Sequence, residues 1–348
     1  MLALVTQPGV PHSTHVADVP GARGREGEVL MRVLEVGVCG TDREISEGLF
    51  GVPADGTSLV LGHEVLATIE RDGHGFARGE LVTATVRRSC ARCLACADGS
   101  PDSCLTGDYL ERGITRLDGF AREIVAEDPA QLIRVPPALG RLGVLAEPTS
   151  ICERAIRHAL TIGGRQPWQL ERALVIGAGA IGMLSTYLLR LADIDVWTAS
   201  LEASSELVTA SGAHYVSTSD TSLAELRRDT GGFDLVVSAV PDAQVMADTL
   251  GLLRRSGVAC LLGIDGRPAT VAVEGPVIGL DAILENRVLF GSVNAHRQDW
   301  LAAVGSLARA RERWPDALEA FVGRRVPLDR YDEAFDYRGV KATLVLDA

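Results

Sequence analysis

The chain has 348 residues, nearly half of them apolar, so it is long enough for two domains and can bury a large core. Its net charge of −12 and pI near 5 leave no basic face for a nucleic acid or an acidic membrane. No apolar run is long enough to span a bilayer. The opening MLALVTQPGV also lacks the basic flank, apolar core and cleavage site of a signal peptide, so a cytoplasmic enzyme is expected.

In chain order, the first 150 or so residues read as β. Short apolar runs at Val29–Val36, Leu59–Leu61 and Leu81–Val86 are separated by Gly, Pro and Asp, which suggests an irregular, barrel-like domain. Near Pro148 the texture changes. A helix is expected over Ser150–Leu160, a buried strand at Arg172–Ile176, a Leu- and Ala-rich helix to about Ala192, and a strand at Asp195–Ala199. Further apolar runs at Phe233–Val240, Val258–Ile264 and Val288–Val293 alternate with helical patterns, which is the signature of βαβ units and a parallel sheet. A last strand is expected at Ala342–Leu346. The expected division is 1–155, 156–292 and a return of 293–348 to the first domain.

Four of the seven cysteines, Cys90, Cys93, Cys96 and Cys104, fall in one loop (89–104) with the spacing C-x2-C-x2-C-x7-C. Such a loop can wrap four thiolates around one Zn²⁺ with no position left open, which describes a structural site. Two short-range disulfides are the alternative, and a reducing compartment disfavours them.

The strand Arg172–Ile176 runs straight into Gly177-Ala178-Gly179-Ala180-Ile181-Gly182, followed by a helix. In that context GxGxxG is a dinucleotide-binding turn. Gly177 makes the bend, Gly179 admits the pyrophosphate, Gly182 permits close packing, and the helix N-terminus at Ala180 and Ile181 faces the phosphate charge. The acid that usually grips an NAD ribose is not at the strand tip. Ser200 stands there, with Glu202 two residues on and no Lys or Arg between Ser200 and Ala210. The balance leans to NAD over NADP.

Three more fragments complete the pattern: GVCGTD from Gly37, GHE from Gly62 and LAEPT from Leu145. With the four-cysteine loop and the βαβ half, the chain resembles the zinc-dependent medium-chain dehydrogenase/reductase family, and within it the glucose dehydrogenase branch. GVCGTDREI, LVLGHE, YLERGI, LDGFA, GVLAEPTS and GSVNAH carry that likeness. The resemblance implies an α/β chain: an irregular GroES-like β-barrel catalytic domain plus a Rossmann doubly wound parallel sheet domain. It implies two zinc ions per chain, with Cys39, His63 and Glu147 as the ligands of a catalytic ion whose fourth position stays open. It further implies that Thr41 passes the substrate proton, Asp42 orients the zinc-bound histidine, and Glu64 sits beside the metal or enters its shell. Glu111 and His296 fall to the substrate pocket, and Asn294 to the pocket and the cofactor. The implied reaction moves a hydride between a secondary alcohol of a sugar, polyol or cyclitol and NAD(P), in a homodimer or homotetramer. Threonine-type dehydrogenation, or a non-catalytic nucleotide- and zinc-binding redox sensor, are the alternatives. One departure concerns the proton path. Arg43 and Glu44 stand where alcohol dehydrogenases often carry a relay histidine.

Overall fold

The computed structural model describes residues 1–54, 56–264 and 266–346. They form two compact units, one of Met1–Ser150, Asn294–Arg311 and Leu318–Ala348, the other of Ile151–Val293 and Glu312–Ala317.

The first unit is built on the strand Val29–Val38, which is ten residues long and almost wholly apolar on its inner positions. It pairs antiparallel with Glu64–Ile69, with Ile124–Glu127 and with Lys341–Val345. The register matters for function. Gly37 lies opposite Glu64, and Val38 opposite Ala342. One strand therefore ends, and its two neighbours begin, at a single edge of the sheet. Cys39, His63, Glu64 and Lys341 are delivered there by strand geometry alone. A separate three-stranded sheet pairs Arg87–Arg88 with Leu110–Arg112 and that strand with Arg116–Leu117, and it sets Arg87 opposite Glu111.

The second unit is a six-stranded, all-parallel sheet. Numbered within the unit, its strands lie in the order 3-2-1-4-5-6, the doubly wound arrangement that reverses direction beside its first strand. Phe233, Val236, Leu174, Ala259 and Leu253 form its core.

Most expected elements are present, with shifts that have local causes. The strand expected at Val258–Ile264 runs instead from Leu253 to Leu261. Arg254, Arg255 and Ser256 hide its first half from any reading of apolar runs, and Gly263 then packs against the Val240 carbonyl, where a Cβ would sit 2.0 Å away. The strand expected to reach Val293 stops at Gly291. The first boundary falls at Ile151 rather than 156, inside the helix Ala146–Gly163. Glu312–Ala317 joins the second unit instead of returning with its neighbours. Trp314 stacks edge-on against Tyr187 at 5.2 Å, and Arg313 bonds to Asp193 and to the Arg190 carbonyl.

Candidate active site

Cys39 ends the long strand, and the helix Gly40–Ser46 begins at the next residue. The Cys39 N–H donates to Asp42 Oδ2 at 3.0 Å, which fixes that first turn. His63 Nε2 lies 3.2 Å from Cys39 Sγ, and His63 Nδ1 lies 3.5 Å from Asp42 Oδ1. The imidazole is thus held between a sulfur and a carboxylate. Asp42 is placed to orient the ring, as a carboxylate does for a metal-bound histidine. His63 Nδ1 and Asp42 Oδ1 are both buried without a hydrogen bond at this separation.

The electrostatics favour a cation at that spot. Burial opposes charge on His63, but Cys39 and Asp42 outweigh it and hold the ring well above its ordinary pKa. Burial pushes the Cys39 thiol up. Zinc binds neutral imidazole and thiolate and displaces both protons, so a soft N/S pair around a wanted positive charge fits Zn²⁺. Glu147 supplies a third donor. It begins the helix Ala146–Gly163, is 8% exposed, and its carboxyl has no hydrogen bond or ion pair among the described residues. Burial pushes its pKa up to about 7, with His63, Glu64, Lys341 and Asp42 as the charges it feels. A buried carboxyl that feels the charge of His63 in a Cys–His pair completes an S, N and O donor set that fits Zn²⁺.

The tightest grouping is not the expected triad. Cys39, His63 and Glu64 each bring a ligand atom within 4.8 Å of the others, and Glu147 stands outside that group. Glu64, however, is already matched. Both its oxygens accept from the Lys341 ammonium, at 2.7 and 2.6 Å, and the third donor reaches the Val38 carbonyl at 3.3 Å. Gly37 makes room for this pair, since a Cβ there would lie 1.9 Å from Glu64 Oε2. Lys341 is the single lysine of the chain, and it is 2% exposed. Reading motifs missed it. A lone lysine among more than thirty arginines was the available signal.

Thr41 is half-buried in the first turn after Cys39. Arg43 is turned elsewhere: its guanidinium donates to the carbonyls of Phe335 at 2.8 Å, Tyr337 at 3.2 Å and Ala334 at 3.4 Å. Glu44 is exposed. Neither stands in for a relay histidine.

Cys90, Cys93, Cys96 and Cys104 bring their sulfurs within 4.8 Å of one another, and none of the seven cysteines is in a disulfide. Backbone N–H groups of Cys90, Cys96 and Leu105 point at the Cys96 and Cys93 sulfurs at 3.4–3.5 Å. The donor set fits a closed tetrahedral zinc.

Glycine lets the backbone two residues after Glu111 touch the backbone one residue before His63. A Cβ on Gly113 would lie 2.4 Å from the Gly62 carbonyl, one residue before His63. Glu111 is buried, and its Oε1 accepts from Arg87 Nε and from Asn294 Nδ2, each at 2.9 Å. Asn294 reaches it from a left-handed backbone, φ 61°. His296 does not join this pair by any hydrogen bond. Its N–H donates to Asp299 and its Nδ1 accepts from the Gln298 N–H, which seats it at the start of the helix Arg297–Arg313.

In the second unit the glycine turn has the shape its motif requires. Gly177 has φ 106°, and a Cβ on Gly182 would lie 1.9 Å from the Gly177 carbonyl. A Cβ on Gly179 would meet nothing, so open space remains at the N-terminus of the helix Ala180–Leu191, where a pyrophosphate fits. At the tip of the second strand Ser200 Oγ donates to the Glu202 carboxylate, and Tyr215 donates to the Glu202 carbonyl at 2.6 Å.

Two family models match. The alcohol dehydrogenase GroES-like domain covers residues 25–137, and the glucose dehydrogenase C-terminus covers residues 140–347. The chain is 37% identical to a glucose 1-dehydrogenase of Methanocella arvoryzae, with all of both chains covered. It is 39% identical to glucose 1-dehydrogenase 1 of Caldivirga maquilingensis, covering 97% of this chain and 96% of that one. Among solved structures, the glucose dehydrogenase of Haloferax mediterranei in complex with NADP, Zn and gluconolactone superposes with a TM-score of 0.91 at 27% identity, over all of both chains.

Proposed function

Because the chain belongs to the zinc-dependent medium-chain dehydrogenase/reductase family, in its glucose dehydrogenase branch, we propose that it oxidises a hydroxyl-bearing carbon of a sugar or cyclitol. It is a zinc-dependent, NAD(P)-linked sugar or polyol dehydrogenase at the coarser level. The observation that carries the finer reading is the buried Glu147 carboxyl, within electrostatic reach of His63 in the Cys39–His63 pair, together with the buried Glu111–Asn294 hydrogen bond.

Bound zinc supplies Lewis-acid polarisation of the alcohol oxygen, and bound nicotinamide accepts the hydride. The chain's own residues do the rest. Cys39, His63 and Glu147 would hold the ion, three protein donors being the number a catalytic zinc takes. Asp42 keeps His63 in one tautomer and orientation. Thr41 Oγ1 would accept the substrate hydroxyl proton as its own proton passes to solvent water. The Lys341 pair keeps Glu64 neutralised and out of the metal's shell, which leaves Glu147 as the carboxylate ligand. Glu111 and Asn294 hold sugar hydroxyls, and His296 lines the same pocket. Gly177, Gly179, Ala180, Ile181 and Gly182 hold the pyrophosphate.

NAD is assigned over NADP. A ribose hydroxyl can donate to Glu202, whereas a 2′-phosphate would meet its negative charge. Among the described residues no Arg or Lys bonds to Ser200 or Glu202. Of the more distant candidates, Arg228 bonds to Asp229 and Arg267 to the Pro241 carbonyl, whereas Arg227 Nε is buried without a hydrogen bond. Charge-assisted bonds to such a side chain are what a 2′-phosphate needs.

We propose assembly as a homodimer or homotetramer, which the exposed sheet edge Val288–Gly291 supports. Leu289, Val293, Ile278, Leu280, Ile283 and Leu284 are all exposed around it, and an unpaired apolar edge invites a second copy. Light scattering on the purified chain tests this, with a monomer as the contrary result. Among the described residues no helix is long and apolar enough to cross a membrane. We assign the protein to the cytoplasm, where its metal-binding thiols stay reduced.

Initial rates for D-glucose, other aldoses, polyols, cyclitols and amino alcohols, each with NAD⁺ and NADP⁺, test the function. Turnover of a sugar or cyclitol with NAD⁺ preferred supports it. Turnover confined to amino alcohols, or none at all, contradicts it.

A further inference from the structure

The four-cysteine lobe and the substrate side are joined through one side chain, Arg87. It stands opposite Glu111 in the strand pair Arg87–Arg88 and Leu110–Arg112. Its Nε donates to Glu111 Oε1 at 2.9 Å. Its Nη1 donates at 2.8 Å to the Asp102 carbonyl, in the turn Pro101–Ser103 between Cys96 and Cys104. Its guanidinium carbon lies 3.8 Å from the centroid of the Tyr109 ring. The Arg87 and Glu111 side chains are 8% and 9% exposed. Glu111 Oε1 is thus filled twice, by Arg87 and by Asn294, while Oε2 has no hydrogen bond among the described residues. A carboxylate on freely turning bonds would present either oxygen in many directions. Here one oxygen is tied down by a rigid planar fork, itself tied to the metal lobe, so the other has one direction left in which to accept.

Resting on the reading that Glu111 receives a sugar hydroxyl, we propose that Arg87 is a positioning residue for substrate: it fixes the Glu111 carboxylate and anchors it to the four-cysteine lobe. The lobe then shapes the substrate site as well as stabilising the fold. The choice of Arg is part of the device. Lysine could neutralise Glu111, but a single ammonium lacks the planar fork that reaches two acceptors and stacks on Tyr109 together.

The test uses the full-length, zinc-loaded protein with D-glucose and its 2-deoxy, 3-deoxy and 4-deoxy analogues. Wild type is compared with Glu111→Gln, Arg87→Gln and Arg87→Lys, and zinc content is measured for each. Arg87→Gln and Glu111→Gln are both expected to raise KM for glucose about tenfold or more, the scale of a lost charged hydrogen bond. In both, kcat should stay within about threefold, because the loss is in binding rather than chemistry. Both should also lose discrimination against the same deoxy analogue, with two zinc ions kept. Arg87→Lys should keep two zincs and fall between. If Arg87→Gln does not fold, Arg87→Lys decides by the same KM and discrimination pattern. A wild-type KM in the Arg87 variants, or a rise in KM with discrimination intact, overturns the role of Arg87 while an altered Glu111→Gln leaves the substrate reading standing. Unchanged KM and discrimination in Glu111→Gln overturns the substrate reading and the proposal with it.

Discussion

The two metal centres of this chain are built in opposite ways. The lobe takes four like ligands from residues 90–104, closes on itself and leaves nothing open. The other, as proposed, would draw Cys39, His63 and Glu147 from three places in the chain, mixing S, N and O donors among Asp42, Glu64 and Lys341. A closed thiolate cage contributes folding energy and leaves no position at its metal for substrate. A mixed, unsaturated set costs stability, because buried charges must be balanced, and gains a position where substrate can bind. The cost is visible in His63 Nδ1 and Asp42 Oδ1, which are buried without a hydrogen bond.

Breaking the open site should give the largest effect on turnover. His63→Ala or Cys39→Ala is expected to lower kcat/KM by about a thousandfold or more, since Lewis-acid stabilisation is worth several kcal/mol and each ~1.4 kcal/mol is tenfold. One zinc per chain should remain, and dinucleotide titration should give near-normal affinity. Breaking the closed site should act on the fold. Cys93→Ala is expected to lose the lobe zinc and lower Tm by roughly 10 °C, taking several kcal/mol at about 2–4 °C each for a chain of this size class. If Cys93→Ala keeps its Tm, the lobe is no cage.

Lys341 sharpens the contrast, because it belongs to the open site but acts on stability. Lys341→Met leaves the Glu64 carboxylate buried and alone, and breaking one partner of such a pair costs about 3–5 kcal/mol. Adding Glu64→Gln should return most of that loss in a thermal melt. A double variant as unstable as the single would show that the pair does not act as a unit. Thr41→Val should cost about a hundredfold in kcat, the usual scale of a positioned proton acceptor, with both zincs retained. The smallest effect lies in the other unit. Ser200→Asp should raise the NAD⁺ over NADP⁺ preference by about tenfold in kcat/KM, by placing a carboxylate at the strand tip. An unchanged ratio would mean that another side chain sets it.

How much could be read in advance follows the same division. The lobe and the glycine turn were legible because their residues are neighbours in sequence and their spacing carries the geometry. The parallel sheet was legible from alternating apolar runs, except where Arg254–Ser256 hid half a strand. Cys39, His63 and Glu147 needed a family resemblance, since they follow a strand, precede a strand and open a helix at distant positions in the chain. Lys341 and Arg87 were not seen. Each is meaningful only through a register, Val38 opposite Ala342 and Arg87 opposite Glu111, and register between distant strands is not written in local pattern. Glu312–Ala317 was misassigned for the same reason, because only the packed structure shows Trp314 against Tyr187.

The division between the two centres can be tested in one titration. A graded chelator series, with zinc content, turnover and Tm followed on the same samples, should remove the mixed-ligand zinc first. At one zinc per chain the protein should be inactive with a near-native melt, and only loss of the second zinc should lower Tm. Full turnover at one zinc per chain, or unfolding as the first ion leaves, would contradict the assignment of chemistry to Cys39, His63 and Glu147 and of stability to the four cysteines.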